Sequence, residues 1–268
     1  MNLAYKRKIR RAFDRSAARY EKSAAFQAEI AREVALRARG FEAVAGAVAD
    51  LGCGAGALGR ELAINGAPRL LVALDISGAM ARRARQNGIP YAIQGDAESL
   101  PLRDGSLDMV VSSLALQWAV DLERAAREAA RVLRRGGVLT GAMLGRATFW
   151  EMRVALREAM DGPASLLARG AFHPMPAYEE VEGALGAAGF HEVDAATSRR
   201  ERRYDSAPAF LRELKELGAQ TSPGLGALGL GRRKLMERFF DRYHQRFPFQ
   251  GGVRATYEVI FFSAARRR

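Results

Sequence analysis

The middle of the chain alternates short apolar runs with stretches whose apolar residues recur at helical spacing. AVADLG (47–52) is an almost continuous apolar run closed by glycine, as expected of a strand buried on both faces. LLVALD (70–75) repeats the pattern, and YAIQGD (91–96), SLDMVVSSLAL (106–116) and VLTGAML (138–144) extend it to five strands. Between them lie ALGRELAING, which stops at Gly66, GAMARRARQNG, which stops at Gly88, and DLERAAREAARVLRRGG (121–137). Each has helical spacing and a glycine stop, and Ser77 stands where the second needs an N-cap. Strands and helices alternating at these intervals predict an α/β fold with a doubly wound, mostly parallel sheet.

After Leu144 the rhythm changes. FWEMRVALREAM and AYEEVEGALGAAGF read as helices, HEVDAATSRRERRY as a sixth strand and TYEVIFFSAA (256–265) as a seventh. An insertion before the last strand (204–253) holds two helical stretches, SAPAFLRELKELG and RRKLMERFFDRYHQRF, around a glycine-rich loop at 218–231. At the other end, Ile9, Phe13, Ala17, Tyr20 and Ala24 form one helical stripe. The expected organisation is a single domain. Residues 1–46 form a helical lid, 47–203 a core, 204–253 the insertion, and 254–268 the last strand with a basic tail.

The candidate chemistry begins at DLGCGAGALG (50–59). Gly54, Gly56 and Gly59 satisfy G-x-G-x-x-G, and Asp75 follows Gly56 by nineteen residues, the pattern of a dinucleotide site. Glycines let the backbone pass closely beneath a cofactor, where a side chain at Gly52, Gly54 or Gly56 would collide with it. The preceding Asp50 changes the picture: its carboxylate would repel a pyrophosphate but favour a sulfonium or ammonium group.

A strand ending in D-x-G-x-G-x-G and turning into a helix resembles the first signature of class I S-adenosylmethionine-dependent methyltransferases. The resemblance implies that Asp50, Gly52, Gly54 and Gly56 cradle the cofactor and that Asp75 accepts the ribose hydroxyls. Ile76 and Met80 would flank the adenine, with Asp96 on its amino group and Ala97 presenting a backbone donor. Ser113 and Leu114, in SLDMVVSSLALQW, would border the methyl-transfer site. FDRSAARYEKSAAFQ, LALQW, LKELGA and GGVRATYEVIF together resemble, from about residue 8 to 264, the malonyl-(acyl-carrier-protein) O-methyltransferase family of biotin synthesis. That resemblance implies S-adenosyl-L-methionine as cofactor, S-adenosyl-L-homocysteine as product, and the free malonyl carboxylate on an acidic carrier protein as acceptor. Tyr20 becomes a lid residue contacting the cofactor, and Gln117 and Trp118 positioning residues, although Tyr20 and Trp118 fit an apolar core equally well. A methyltransferase of another small metabolite, or a methyltransferase-like factor acting on a partner protein, remains open.

Composition then narrows the chemistry. The three histidines (His173, His191, His244) have no metal-ligand spacing, so no metal is expected. A carboxylate is already ionised at neutral pH, so methylating it requires no general base. No apolar run reaches the roughly 20 residues of a membrane span, and the single cysteine, Cys53, allows no internal disulfide. A cytoplasmic protein is expected.

The net charge of +12 is unevenly placed. Residues 1–46 carry 11 cations against 5 anions and 204–268 carry 12 against 6, while 47–203 balance at 19 each. Either both flanks are merely solvated or they meet an acidic partner. In the last helical stretch Leu235, Phe239, Tyr243 and Phe247 recur every four residues, and Lys234, Arg238, Arg242 and Arg246 recur alongside them as a basic ridge near the expected site mouth. No aromatic-interleaved basic platform suggests nucleic acid.

Overall fold

The computed structural model describes residues 3–65, 68–160, 173–219 and 232–267. The Gly66 helix stop and most of the glycine-rich loop lie outside them. Five parallel strands form where the apolar runs predict: β1 (Ala47–Leu51), β2 (Leu70–Asp75), β3 (Ala92–Gln94), β4 (Leu107–Ser113) and β5 (Leu133–Leu144). β6 (Phe190–Tyr204) and β8 (Gly252–Arg266) are long and pair antiparallel, and β8 also runs antiparallel to β5. The order is β3-β2-β1-β4-β5-β8-β6. The chain therefore winds outward from β1 in one direction and from β4 in the other. The gap between their carboxyl ends is the topological switch point, where open α/β sheets bind ligands.

Three expectations are corrected. The sheet has eight strands rather than seven, because β7 (Pro248–Phe249) folds back on Gly252–Val253 through a tight turn at Gln250–Gly251. The helix expected over 121–137 is α6 (Leu122–Val132): Leu133 pairs with Leu107, and this strand pairing overrides the helical reading of LRRGG. The fourth strand stops at Ser113 because Leu114 takes a left-handed backbone conformation (φ 51°) that no strand continues through.

The N-terminal stripe is broken into α1 (Leu3–Ser16), α2 (Tyr20–Ser23) and α3 (Ala25–Ala38). α4 (Ala57–Asn65), α5 (Gly78–Gln86), α7 (Trp150–Ala159), α8 (Tyr178–Ala187), α9 (Ala207–Glu216) and α10 (Arg232–Arg246) complete the described helices. One core, with Phe26, Ile30, Val34, Phe210, Phe239 and Tyr257, joins α3, α4, α7, α9 and α10 to one face of the sheet. A second, with Ala129, Leu139, Val181, Leu185 and Phe262, seats α6 and α8 on the other. Leu235, Phe239, Tyr243 and Phe247 of α10 are buried, as their spacing predicts.

β8 pairs with β5 only as far as Val259↔Leu144. Its first half continues beyond the end of β5 beside β6. The overhanging residues Val253, Ala255 and Tyr257 pack in the same core as α7, α9 and α10. Among the described residues, no helix is long and apolar enough to cross a membrane.

Candidate functional site

The cavity at the switch point has a floor built from the loops after β1 and β2. The amides of Gly52 and Cys53 both donate to the Leu74 carbonyl (2.7 and 2.9 Å), locking one loop to the other. Asp75, at the end of β2, accepts from the Gly54 amide through Oδ2 (2.9 Å) and from the Ser77 amide through Oδ1 (2.8 Å). Each oxygen keeps a lone pair for a ligand hydroxyl. Burial pushes this carboxyl up to about 6 against the pull of those two donors. Ser77 also caps α5, accepting from the Met80 amide.

Asp50 is 1% exposed, and neither carboxylate oxygen has a hydrogen-bond partner among the described residues. Burial, reinforced by nearby Asp75, pushes it up to about 8. A buried acid without donors is stabilised by a cation or by remaining protonated; Asp50 follows Ala49 at the carboxyl end of β1 and is not itself among the residues lining the cavity.

The glycines differ in purpose. A Cβ on Gly52, whose φ is 73°, would stand 2.1 Å from the Ala115 Cβ; one on Gly56 would press on Ile89 and Ala84 beside α5. Gly52 is thus required by the close approach of the loop after β4, and Gly56, which does not line the cavity, by packing against α5. Only at Gly54 would a Cβ point into the cavity, 3.7 Å from the Tyr20 ring.

Ile76, Met80, Asp96, Ala97, Ser113, Leu114 and Trp118 line the cavity with Asp75, Gly52 and Gly54. Gln117 does not. It is buried on the far side of the wall, its Nε2 donating to the Leu114 carbonyl (2.8 Å), and it lines an adjoining open cleft of about 1030 Å³ with Tyr5, His173, Arg146, Arg153 and Arg157.

The roof is α1 and α2. Lys6 pairs with Asp96 (2.6 Å) and Glu98 (2.8 Å) across the opening. Phe13 meets Trp118 edge-on, and Asp14 accepts from the Ser77 hydroxyl (2.6 Å). The Tyr5 hydroxyl bonds His173 Nδ1, while His173 Nε2 bonds the Gln117 carbonyl, both at 2.5 Å, and the His173 ring stacks on Trp118. Tyr20 closes the side, its phenol held well above its ordinary value by burial, then by Asp75 and Cys53. The enclosed volume, about 100 Å³, is below the roughly 300–1,000 Å³ of small-molecule sites. The roof must shift to seat a nucleoside-sized ligand.

Residues 49–140 match the family model described as "Methyltransferase domain". The malonyl-(acyl-carrier protein) O-methyltransferase of Geobacter sulfurreducens is 36% identical over 96% of this chain and 97% of its own. The chain belongs to the malonyl-(acyl-carrier protein) O-methyltransferase family. The biotin biosynthesis bifunctional protein BioHC of Saccharophagus degradans is 30% identical over 96% of this chain, which spans 46% of that longer protein. The YcgJ protein of Bacillus subtilis shares the fold, with a TM-score of 0.61 at 17% identity over 89% of this chain and 98% of its own.

Several residues that bound the cavity were missed by sequence reasoning. Lys6, Asp14, Glu98 and His173 join roof to wall, yet their partners lie tens of residues away or more. His173 carried the one available signal, an aromatic-flanked FHPMP segment too polar and proline-rich for a core strand. The ridge residues Lys234, Arg238, Arg242 and Arg246 are exposed as predicted. Their place differs: no described residue of α9 or α10 lines the cavity or the cleft, and α10 packs on α7, with Arg246 paired to Glu158 (3.2 Å).

Proposed function

We propose that the protein transfers a methyl group from S-adenosylmethionine to the free carboxylate of malonyl-(acyl-carrier protein), giving the methyl ester that starts the biotin pimeloyl chain. The carrying observation is Asp50, a buried, unpartnered carboxylate at the switch point of a chain related along its length to this family. The residues fit the cofactor. Asp50 suits a cationic group, Asp75 offers two oxygens to ribose hydroxyls, Gly54 leaves open space, and Ile76 and Met80 give apolar faces to an adenine. When bound, S-adenosylmethionine supplies an electrophilic methyl group.

The protein's own contribution is placement and exclusion of water. Trp118, Phe13 and Leu116 form an apolar wall, and the His173 bond to the Gln117 carbonyl fixes the turn carrying both Gln117 and Trp118. Among the described residues lining the cavity or holding its wall, Tyr20 is held protonated, and both ring nitrogens of His173 are engaged, by the Tyr5 hydroxyl and the Gln117 carbonyl. An acceptor that is already anionic suits such a site. The exposed α10 ridge adds long-range attraction for an acidic carrier.

Mass spectrometry of malonyl-carrier protein incubated with S-adenosylmethionine tests the reading. The expected result is the gain of one methylene, reversed by esterase. Methylation of a small metabolite, or of the carrier polypeptide itself, with the malonyl group unchanged would overturn it.

A further inference from the structure

We propose that the outer face of α1 is the contact surface for the acidic carrier protein, so that docking of the partner presses the roof closed over the cofactor. This rests on the malonyl-carrier reading above and adds where the partner binds and what its binding does. The first support is position. With about 100° per residue, Arg7, Lys8, Arg11 and Arg15 fall within one arc of the helix, and Tyr5, Lys6, Ile9 and Phe13 on the opposite arc. The inner arc is the roof: Ile9 is buried, Lys6 bridges Asp96 and Glu98, and Phe13 meets Trp118. The outer four are exposed.

The second support is electrostatic. Elsewhere on the surface some cations are paired, as in Arg37–Glu33, Arg127–Glu123, Arg131–Glu128, Arg200–Glu33 and Arg202–Glu29, and others are not; what sets α1 apart is four cations, unpaired among the described residues, on one arc of one helix. Arg7, Lys8, Arg11 and Arg15 have no ion pair among the described residues. Arg7, Arg11 and Arg15 stand at i, i+4 and i+8, where like charges repel, and the first turn carries no acid to meet the helix dipole, although Arg15 in the last turn suits it. The helix works against its own charge. An acidic surface laid on that arc relieves the repulsion and favours the folded, closed roof, whereas a merely solvated face gains nothing from this arrangement.

The α10 ridge differs on each point, since it lines neither cavity and Arg246 is already paired with Glu158. Its pull is long-ranged; α1 makes the contact.

The test replaces Arg7, Arg11 and Arg15 together by Glu. Glu at position 7 suits the N-terminal end of the helix, whereas Glu at position 15, in the last turn, opposes the dipole, so circular dichroism and unchanged binding of S-adenosylhomocysteine are measured on the variant to separate lost docking from lost folding. The expected result is a rise of about tenfold or more in KM for malonyl-carrier protein at low salt, with kcat at saturation and activity on malonyl-coenzyme A little changed. The pair Arg238→Glu and Arg242→Glu should raise that KM less. Hydrogen exchange supplies a readout independent of activity: unloaded carrier protein should protect the amides of residues 5–20 in the wild type and not in the triple variant. Unchanged KM, or protection confined to α10, would overturn the proposal. Equal losses on carrier and coenzyme A substrates would overturn it too, assigning the charges to roof stability. If the wild type fails to methylate malonyl-carrier protein but the carrier still protects α1, the docking surface stands and only the choice of acceptor falls.

Discussion

The floor and the roof of the cavity are held by different physics. The floor is backbone: Gly52 and Cys53 share the Leu74 carbonyl, and Asp75 accepts two amides. β1 is buried along its whole length and β2 over its second half, and the loops that leave them are tied to each other by backbone amides. The roof is held by side chains reaching across from α1, with Lys6 on Asp96 and Glu98, Asp14 on Ser77, and Tyr5 on His173. Each such link is worth about 1 kcal/mol. On the reading proposed above, the floor would set affinity for the cofactor and the roof access to it.

The comparison breaks most readily at Gly52. Replacing it by Ala adds a Cβ 2.1 Å from that of Ala115 at a positive φ. It should destabilise the protein by about 2–4 kcal/mol, read as a lowered midpoint in urea; a wild-type midpoint would show that the floor yields. Asp75→Ala should weaken S-adenosylhomocysteine binding by about 1–3 kcal/mol in calorimetry, with a folded protein remaining. Tight binding of a nicotinamide dinucleotide instead would remove the cofactor reading altogether.

Asp50 separates floor from ligand through pH. Its folded value, pushed up to about 8, lies above the unfolded value of about 3.9. The stability it contributes to the ligand-free protein is therefore full below about pH 4 and lost as pH rises through 8. The Tm difference between wild type and Asp50→Asn should change across that window in favour of Asn at high pH. A cation seated beside Asp50 favours its carboxylate, so cofactor binding at pH 7 should release a proton, seen as a dependence of binding heat on buffer ionisation enthalpy. Heats independent of buffer would place the cation elsewhere. The smallest effect belongs to the roof. Lys6→Ala should cost about 1 kcal/mol of stability and speed hydrogen exchange in residues 3–16, leaving the sheet unaltered.

The floor was legible in sequence because its signals are local. A glycine loop follows an apolar run, an acid stands at the end of the next, and Ser77 lies where a helix must begin. The roof was only half legible. The stripe Ile9, Phe13, Tyr20 announces an amphipathic segment, but the partners of Lys6 and Tyr5 lie 90 and 168 residues away, and no local pattern encodes such pairs. Helix reading failed at LRRGG for a related reason, since pairing of Leu133 with Leu107 outweighs intrinsic preference. The α10 apolar stripe was plain from its four-residue recurrence. Its absence from the lining of the cavity and the cleft was not, because that depends on its packing against α7, more than 70 residues earlier in the chain.

β8 is the last strand in chain order, yet it lies between β5 and β6 and gives each its partner. As a chain emerges from the ribosome, β1 to β5 can assemble while the free edge of β5 is still bare. β6 has nothing to pair with until residues 252–266 arrive. A nascent or prematurely ended chain therefore presents two unpaired strand edges at once, the condition under which sheets join their neighbours' edges instead of their own. Stop codons or proteolytic cuts just before residue 252 should yield insoluble material even though every residue of the cofactor floor has been made.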